Sequence, residues 1–118
     1  MHRVLVVDDE YDIRELFVDI ITGLGHEIET AKNGKEGLNL FKSQSFDIAF
    51  IDIKMPVMDG LQCARKIKEL NPAFPIVMMT GVLQEYSREQ IFAAGVNHLM
   101  EKPLFLSEIK EVLQKYFK

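Results

Sequence analysis

The chain has 118 residues, of which 47% are hydrophobic and 27% charged, and its net charge is −4. This makeup is that of a globular domain with one core of its own; it excludes a disordered tail and argues against a surface that binds nucleic acid directly. A single cysteine, Cys63, excludes an internal disulfide and fits a reducing cytoplasm, and no apolar run approaches the ~20 residues that span a bilayer.

The first apolar run, Val4–Val7, reads as a strand covered on both faces, and it ends in three acids, Asp8, Asp9 and Glu10. Acids so close behind the apolar run also exclude a signal peptide. Ile13, Leu16, Phe17, Ile20, Ile21 and Leu24 then recur at helical spacing, with Gly25 as the stop. Glu27–Thr30 is a more polar strand, suited to a sheet edge. Asn33 caps a helix running to about Gln44, with Leu38 and Phe41 facing inward. The third strand, Ile48–Ile51, ends in Asp52. Asp59-Gly60 opens a helix over Leu61 to Leu70 that closes at Asn71-Pro72. Ile76–Met79 is the fourth strand, followed by Thr80, and Gln84 to Ala94 is a helix stopped by Gly95. Val96–Met100 is the fifth strand, with Lys102 just beyond it. Ser107 to Phe117 is the last helix, with Ile109, Val112, Leu113 and Phe117 as its apolar stripe and Lys110, Lys115 and Lys118 on a solvated face.

Strand and helix alternate five times, the pattern of an α/β fold with a parallel sheet covered on both faces. No linker, repeat or low-complexity segment interrupts it. The expectation is one domain over residues 1–118 with no output domain. In such sheets ligands bind beyond the carboxyl ends of the strands. Asp8, Asp9, Glu10, Asp52, Thr80 and Lys102 all follow strands, so neighbouring first and third strands bring at least three carboxylates together. Like charges at that distance raise one another's pKa, so the cluster holds protons or binds a cation. Hard oxygen ligands without His or Cys favour Mg2+ over Zn2+. Acid, cation, hydroxyl and lysine together suit transfer of a phosphoryl group to Asp52. The plain alternative is that Asp8 and Asp9 cap the first helix and Asp52 a turn. His2, His26 and His98 read as scattered surface or structural residues, and Cys63 as a packed thiol.

The motifs "VLVVDDE", "DIKMPVMDG" from Asp52 to Gly60, "MMTG" ending at Gly81, and "EKP" at Glu101–Pro103 occur in this order across the whole chain. In this combination the sequence resembles the receiver domain of bacterial two-component response regulators. The resemblance implies a doubly wound, flavodoxin-like sheet of five parallel strands in the order 2-1-3-4-5 with five helices. It implies Asp52 as phosphoacceptor, and Mg2+ or Mn2+ held by Asp8, Asp9, Asp52 and the backbone carbonyl of Lys54. Thr80 and Lys102 would bind the phosphoryl group, Gly81 would leave room beside it, and Lys102–Pro103 would be cis. The expected activity is confined to the chain's own phosphorylation and dephosphorylation. The expected donor is a sensor histidine kinase or a histidine phosphotransfer protein, in the cytoplasm, with the chain a monomer or a weak phosphorylation-dependent dimer. No nucleic-acid or membrane contact is expected.

Three positions depart from the family pattern. Leu99 stands where an aromatic residue is common, which removes the usual ring movement. Val57 stands where Gly is usual, so a different turn is expected there, since a β-branched residue resists positive φ. Phe105 stands where a polar cap is common; with Leu99 it either forms an apolar docking face or folds back onto the core. Lys54 and Val82 flank the phosphate position, and an apolar Val82 points to a long-lived phosphorylated state. Three rival functions meet the same residues. A phosphatase with an Asp nucleophile needs an acid where Lys54 stands, and an electron carrier of flavodoxin type would not tolerate Asp8-Asp9-Glu10 in its phosphate loop. A degenerate receiver that binds partners without phosphorylation is opposed only by the intact acid, Thr80 and Lys102 set.

Overall fold

Each apolar run of the sequence becomes a strand, and each run is followed by a helix. The computed structural model describes residues 1–81 and 86–117. Its elements are β1 (Arg3–Val7), α1 (Tyr11–Gly23), β2 (Glu27–Ala31), α2 (Gly34–Ser43), β3 (Ile48–Asp52), α3 (Gly60–Leu70), β4 (Ile76–Thr80), α4 (Arg88–Ala93), β5 (His98–Glu101) and α5 (Leu106–Tyr116). All neighbouring strands pair in parallel, in the order β2-β1-β3-β4-β5. The more polar β2 lies at an edge, as its composition suggested. No helix among the described residues is long and apolar enough to cross a membrane.

Strand periodicity divides the core in two. Leu5, Val7, Ile51 and Met78 face α2, α3 and α4, where Leu38, Ile67 and Ile91 meet them. Val4, Val6, Phe50 and Met79 face α1 and α5, packing with Phe17, Ile21, Ile109 and Val112. Every residue of β3 and β4 is buried, because central parallel strands carry helices on both sides. Each large apolar side chain so buried stabilises the fold by roughly 1.5–3 kcal/mol.

Some boundaries differ from expectation. The α4 start expected at Gln84 lies outside the described residues, while Tyr86 and Ser87 precede the helix. Ser87 caps it, exchanging bonds with Gln90 in a reciprocal box, a local polar signal that outweighs apolar periodicity. Val96 is buried but precedes β5, and Asn97 accepts a hydrogen bond from the Ile76 backbone at 3.0 Å. Val82 and Lys118 also lie outside the described residues.

The histidines are less scattered than their spacing suggested. The starts of β1 and β2 and the end of α5 meet at one edge of the sheet. There the His2 and Phe117 rings stack at 4.0 Å, and the His2 backbone N–H donates to His26 Nδ1 at 3.2 Å. Sequence distance hid this contact, since it depends on parallel strands starting side by side.

The turn after β3 is tight and centred on Val57. Met58 N–H donates to the Pro56 carbonyl at 2.8 Å, and Val57 sits at φ 70°, forming a γ-turn whose central side chain points to solvent. The β-branched residue thus adopts the positive φ that it resists, which for an L-residue costs ~1–2 kcal/mol. Downstream, Gly60 N–H donates to the Ile53 carbonyl at 2.8 Å, and a Cβ on Gly60 would collide with the Asp52 carbonyl. The α3 N-terminus thus seats directly on the end of β3.

Val57→Gly should stabilise the protein by roughly 0.5–1 kcal/mol in urea denaturation, the relief of strain less the entropy gained by the unfolded chain. Gly60→Ala should destabilise it by about 1–3 kcal/mol, because the added methyl has no room beside the Asp52 backbone.

Candidate functional site

Parallel strands deliver whatever follows them to one edge of the sheet. Asp8 follows β1, and its backbone N–H extends the pairing to the Ala31 carbonyl at 3.0 Å. Its Oδ1 accepts the Glu10 N–H at 2.8 Å, which fixes the course of the chain into α1. Asp52 and Thr80 are the last residues of β3 and β4, and both are buried. Lys102 follows β5 through a backbone bond to the Thr80 carbonyl at 2.8 Å and precedes a cis bond to Pro103. One carboxylate oxygen from each of Asp8, Asp9, Glu10 and Asp52 falls within 4.8 Å of all the others. A mouth of about 330 Å3 opens above them, walled by Asp9, Asp52, Lys54, Thr80 and Lys102.

Burial and crowding set the electrostatics. Burial, reinforced by Asp8, pushes the Asp52 carboxyl up to about 7, and Lys102 only partly offsets this. Burial likewise raises Asp8. Burial alone would lower the Lys102 ammonium, but Glu10, Asp8 and Asp52 outweigh it and raise the group above its ordinary value. The Lys102 Nζ lies 2.8 Å from Glu10 Oε1, 3.1 Å from Asp8 Oδ2 and 3.5 Å from Asp52 Oδ1. The Lys102 ammonium thus lies among three carboxylates. Asp8 Oδ2 is buried against the Lys102 ammonium at 3.1 Å. Hard oxygens in a carboxylate cluster free of His and Cys fit a divalent cation of the magnesium class.

The structure brings Asp8, Asp9, Asp52, Lys54, Thr80 and Lys102 to this mouth as the sequence suggested. The capping alternative fails for Asp8 and Asp9: Glu10 is the N-cap of α1, with no side-chain cap bond, and it is Asp59 that caps α3. A Cβ at Gly81 would make ordinary contact with the Lys102 stem at 3.9 Å. Cys63 is buried, which pushes its thiol up to about 12 and leaves it unreactive. Leu99 is half-buried against the α4 layer. Phe105 is 63% exposed, which removes the reading that it folds back onto the core.

Three features escaped the sequence reading. Glu10 reaches Lys102, a pairing across 92 positions of sequence. Tyr86 walls the mouth, and its hydroxyl reaches Asp59 Oδ2 at 3.4 Å. Arg14 donates to the Asp8 carbonyl at 2.8 Å. Only Glu10 had left a signal, as a third acid in a run whose first two already had a use.

The chain matches the response regulator receiver domain family over residues 4–114. It is 38% identical over 118 residues to the two-component response regulator ARR22 of Arabidopsis thaliana, covering 98% of this chain and 83% of that protein. It is 31% identical to the sensor histidine kinase RcsC of Salmonella typhi over 96% of this chain, yet spans only 12% of that much longer protein. The crystal structure of the response regulator TrrA of Thermotoga maritima, in complex with magnesium and beryllofluoride, superposes with a TM-score of 0.89 and 34% identity over 98% of this chain and 99% of that one. Acid cluster, lysine, strand order and sequence agree, and the chain belongs to the response regulator receiver domain family.

Proposed function

We propose that Asp52 accepts a phosphoryl group from a phosphohistidine on a sensor histidine kinase or histidine phosphotransfer protein. The observation that carries this reading is the Asp52 carboxylate itself, buried at the floor of an open mouth with the Lys102 ammonium 3.5 Å away. An oxygen of ionised Asp52 attacks phosphorus as the bond to the donor imidazole breaks, and the phosphoryl group remains on the carboxylate. Asp8, Asp9 and Asp52, with the Lys54 carbonyl, would hold a Mg2+ or Mn2+ ion. Such an ion supplies positive charge against the phosphoryl oxygens.

Thr80 offers a hydroxyl from the end of β4, and Lys102 a mobile cation from beyond β5. A phosphorylated Asp carries extra negative charge and strong acceptors, which draw both groups inward. Thr80 leads by way of Gly81 toward α4, so a charge event at Asp52 acquires a readout on the α4–β5–α5 side. That face would then bind a protein target, or the phosphoryl group would pass to another histidine. Its setting would be the cytoplasm.

Mixing the protein with acetyl phosphate and Mg2+ should phosphorylate Asp52, with Asp52→Asn and chelator-treated protein remaining unmodified by mass spectrometry. An unmodified wild type that still captures its partner would favour a receiver acting without phosphorylation. The metal-free protein should also show a specific pH dependence. Between an ordinary carboxyl value of 3.8 and about 7, folded Asp52 keeps a proton that the unfolded chain has released. Stability therefore falls as pH rises through this window, by about 1–2 kcal/mol after allowance for solvent screening. Urea midpoints from pH 4 to pH 8 should show this slope, Asp52→Asn should flatten it, and added Mg2+ should recover stability at the upper end.

A further inference from the structure

Lys102 has more partners at rest than pairing with a phosphate requires. Its ammonium donates a hydrogen bond to Glu10 at 2.8 Å, shorter than its approaches to Asp8 at 3.1 Å and Asp52 at 3.5 Å. The three carboxylates also differ in their freedom. The Asp8 side chain is fully enclosed and that of Asp52 is 6% exposed, whereas that of Glu10 is 59% exposed. A buried carboxylate that loses its cation is left as uncompensated charge. Glu10 can turn into water instead and lose little.

Among the described residues, Lys102 is the hydrogen-bond partner of the Glu10 carboxylate. Glu10 is the N-cap of α1, where a side chain commonly bonds the first helical N–H groups, yet it makes no such bond. Its backbone is held by Asp8 Oδ1. The geometry is therefore an anchored backbone with an exposed acid reaching over the mouth to Lys102.

We propose that Glu10 is a positioning residue that holds Lys102 across the mouth in the resting protein and yields it when the phosphoryl group on Asp52 claims the ammonium. This rests on the phosphoacceptor reading of Asp52. Closing the switch exchanges one charge-assisted hydrogen bond for another, so the strength of the first is subtracted from the gain of the second. Glu10 thereby sets how readily phosphorylation is converted into movement. With an uncharged residue in its place, Lys102 is shared between Asp8 and Asp52 alone, nearer the arriving oxygens.

Two measurements on the full chain test this, each with Glu10→Gln made in the wild-type and in the Lys102→Ala backgrounds. At saturating Mg2+, calorimetric titration with beryllofluoride should show binding about threefold to tenfold tighter for Glu10→Gln than for wild type. The same substitution should change binding by less than about twofold once Lys102 is gone. Equal tightening in both backgrounds would mean simple repulsion of an anion and would overturn the proposal, as would weaker binding by Glu10→Gln. Without Mg2+ or beryllofluoride, thermal midpoints report the resting pair. Glu10→Gln should lower the midpoint where Lys102 is present and raise it where Lys102 is absent, since one of four crowded carboxylates is then removed. An identical shift in both backgrounds overturns the pair. A wild type that takes up no beryllofluoride overturns the phosphoacceptor reading and the role in switching, while the midpoints still decide whether Glu10 holds Lys102.

Discussion

The fold concentrates like charge at one place. Asp8, Asp9, Glu10 and Asp52 come from two strand ends, and their oxygens lie within 4.8 Å of each other. Left alone, such a group repels itself, and the burial of Asp8 and Asp52 worsens the repulsion. The sheet tolerates the arrangement because its two layers of apolar packing supply ample stability elsewhere, and because Lys102 offsets part of the charge. This tension favours positive charge at the mouth, and a group carrying negative charge would enter against it unless a cation lay beside it. Membership in the receiver family and the electrostatics of the mouth thus describe the same constraint from two sides.

Much of this was legible in one dimension. Apolar runs of four to five residues separated by amphipathic stretches define a parallel α/β sheet, and parallel strands present their following residues at a common edge. Asp8, Asp52, Thr80 and Lys102 could therefore be placed together without coordinates. The strand order came through resemblance, since alternation alone does not say which strands are neighbours. What remained hidden depends on reach rather than on position. Glu10 reads as the start of a helix until its side chain is seen to extend to Lys102. Tyr86 reads as a helical residue until the helix is seen to begin at Arg88. The His2–Phe117 stack joins the two ends of the described chain, and no pattern within a window of sequence connects them.

The departures from the family pattern resolve in different ways. Val57 takes a positive φ and bears the strain, a cost that local backbone bonding around Met58 and Gly60 sustains. Leu99 packs half-buried against the layer that contains Ile91, the same layer against which Tyr86 rests. Phe105 stays in solvent at the entry to α5 without supplying a polar cap.

The close seating of Gly60 on the carbonyl of Asp52 has a mechanical side. With no clearance behind it, the main chain at the end of β3 is braced like a workpiece against a stop, and α3 cannot recoil when charge arrives in front. A shift of the Asp52 main chain toward α3 therefore has no room. A single missing methyl group thus helps to determine the direction in which the molecule yields.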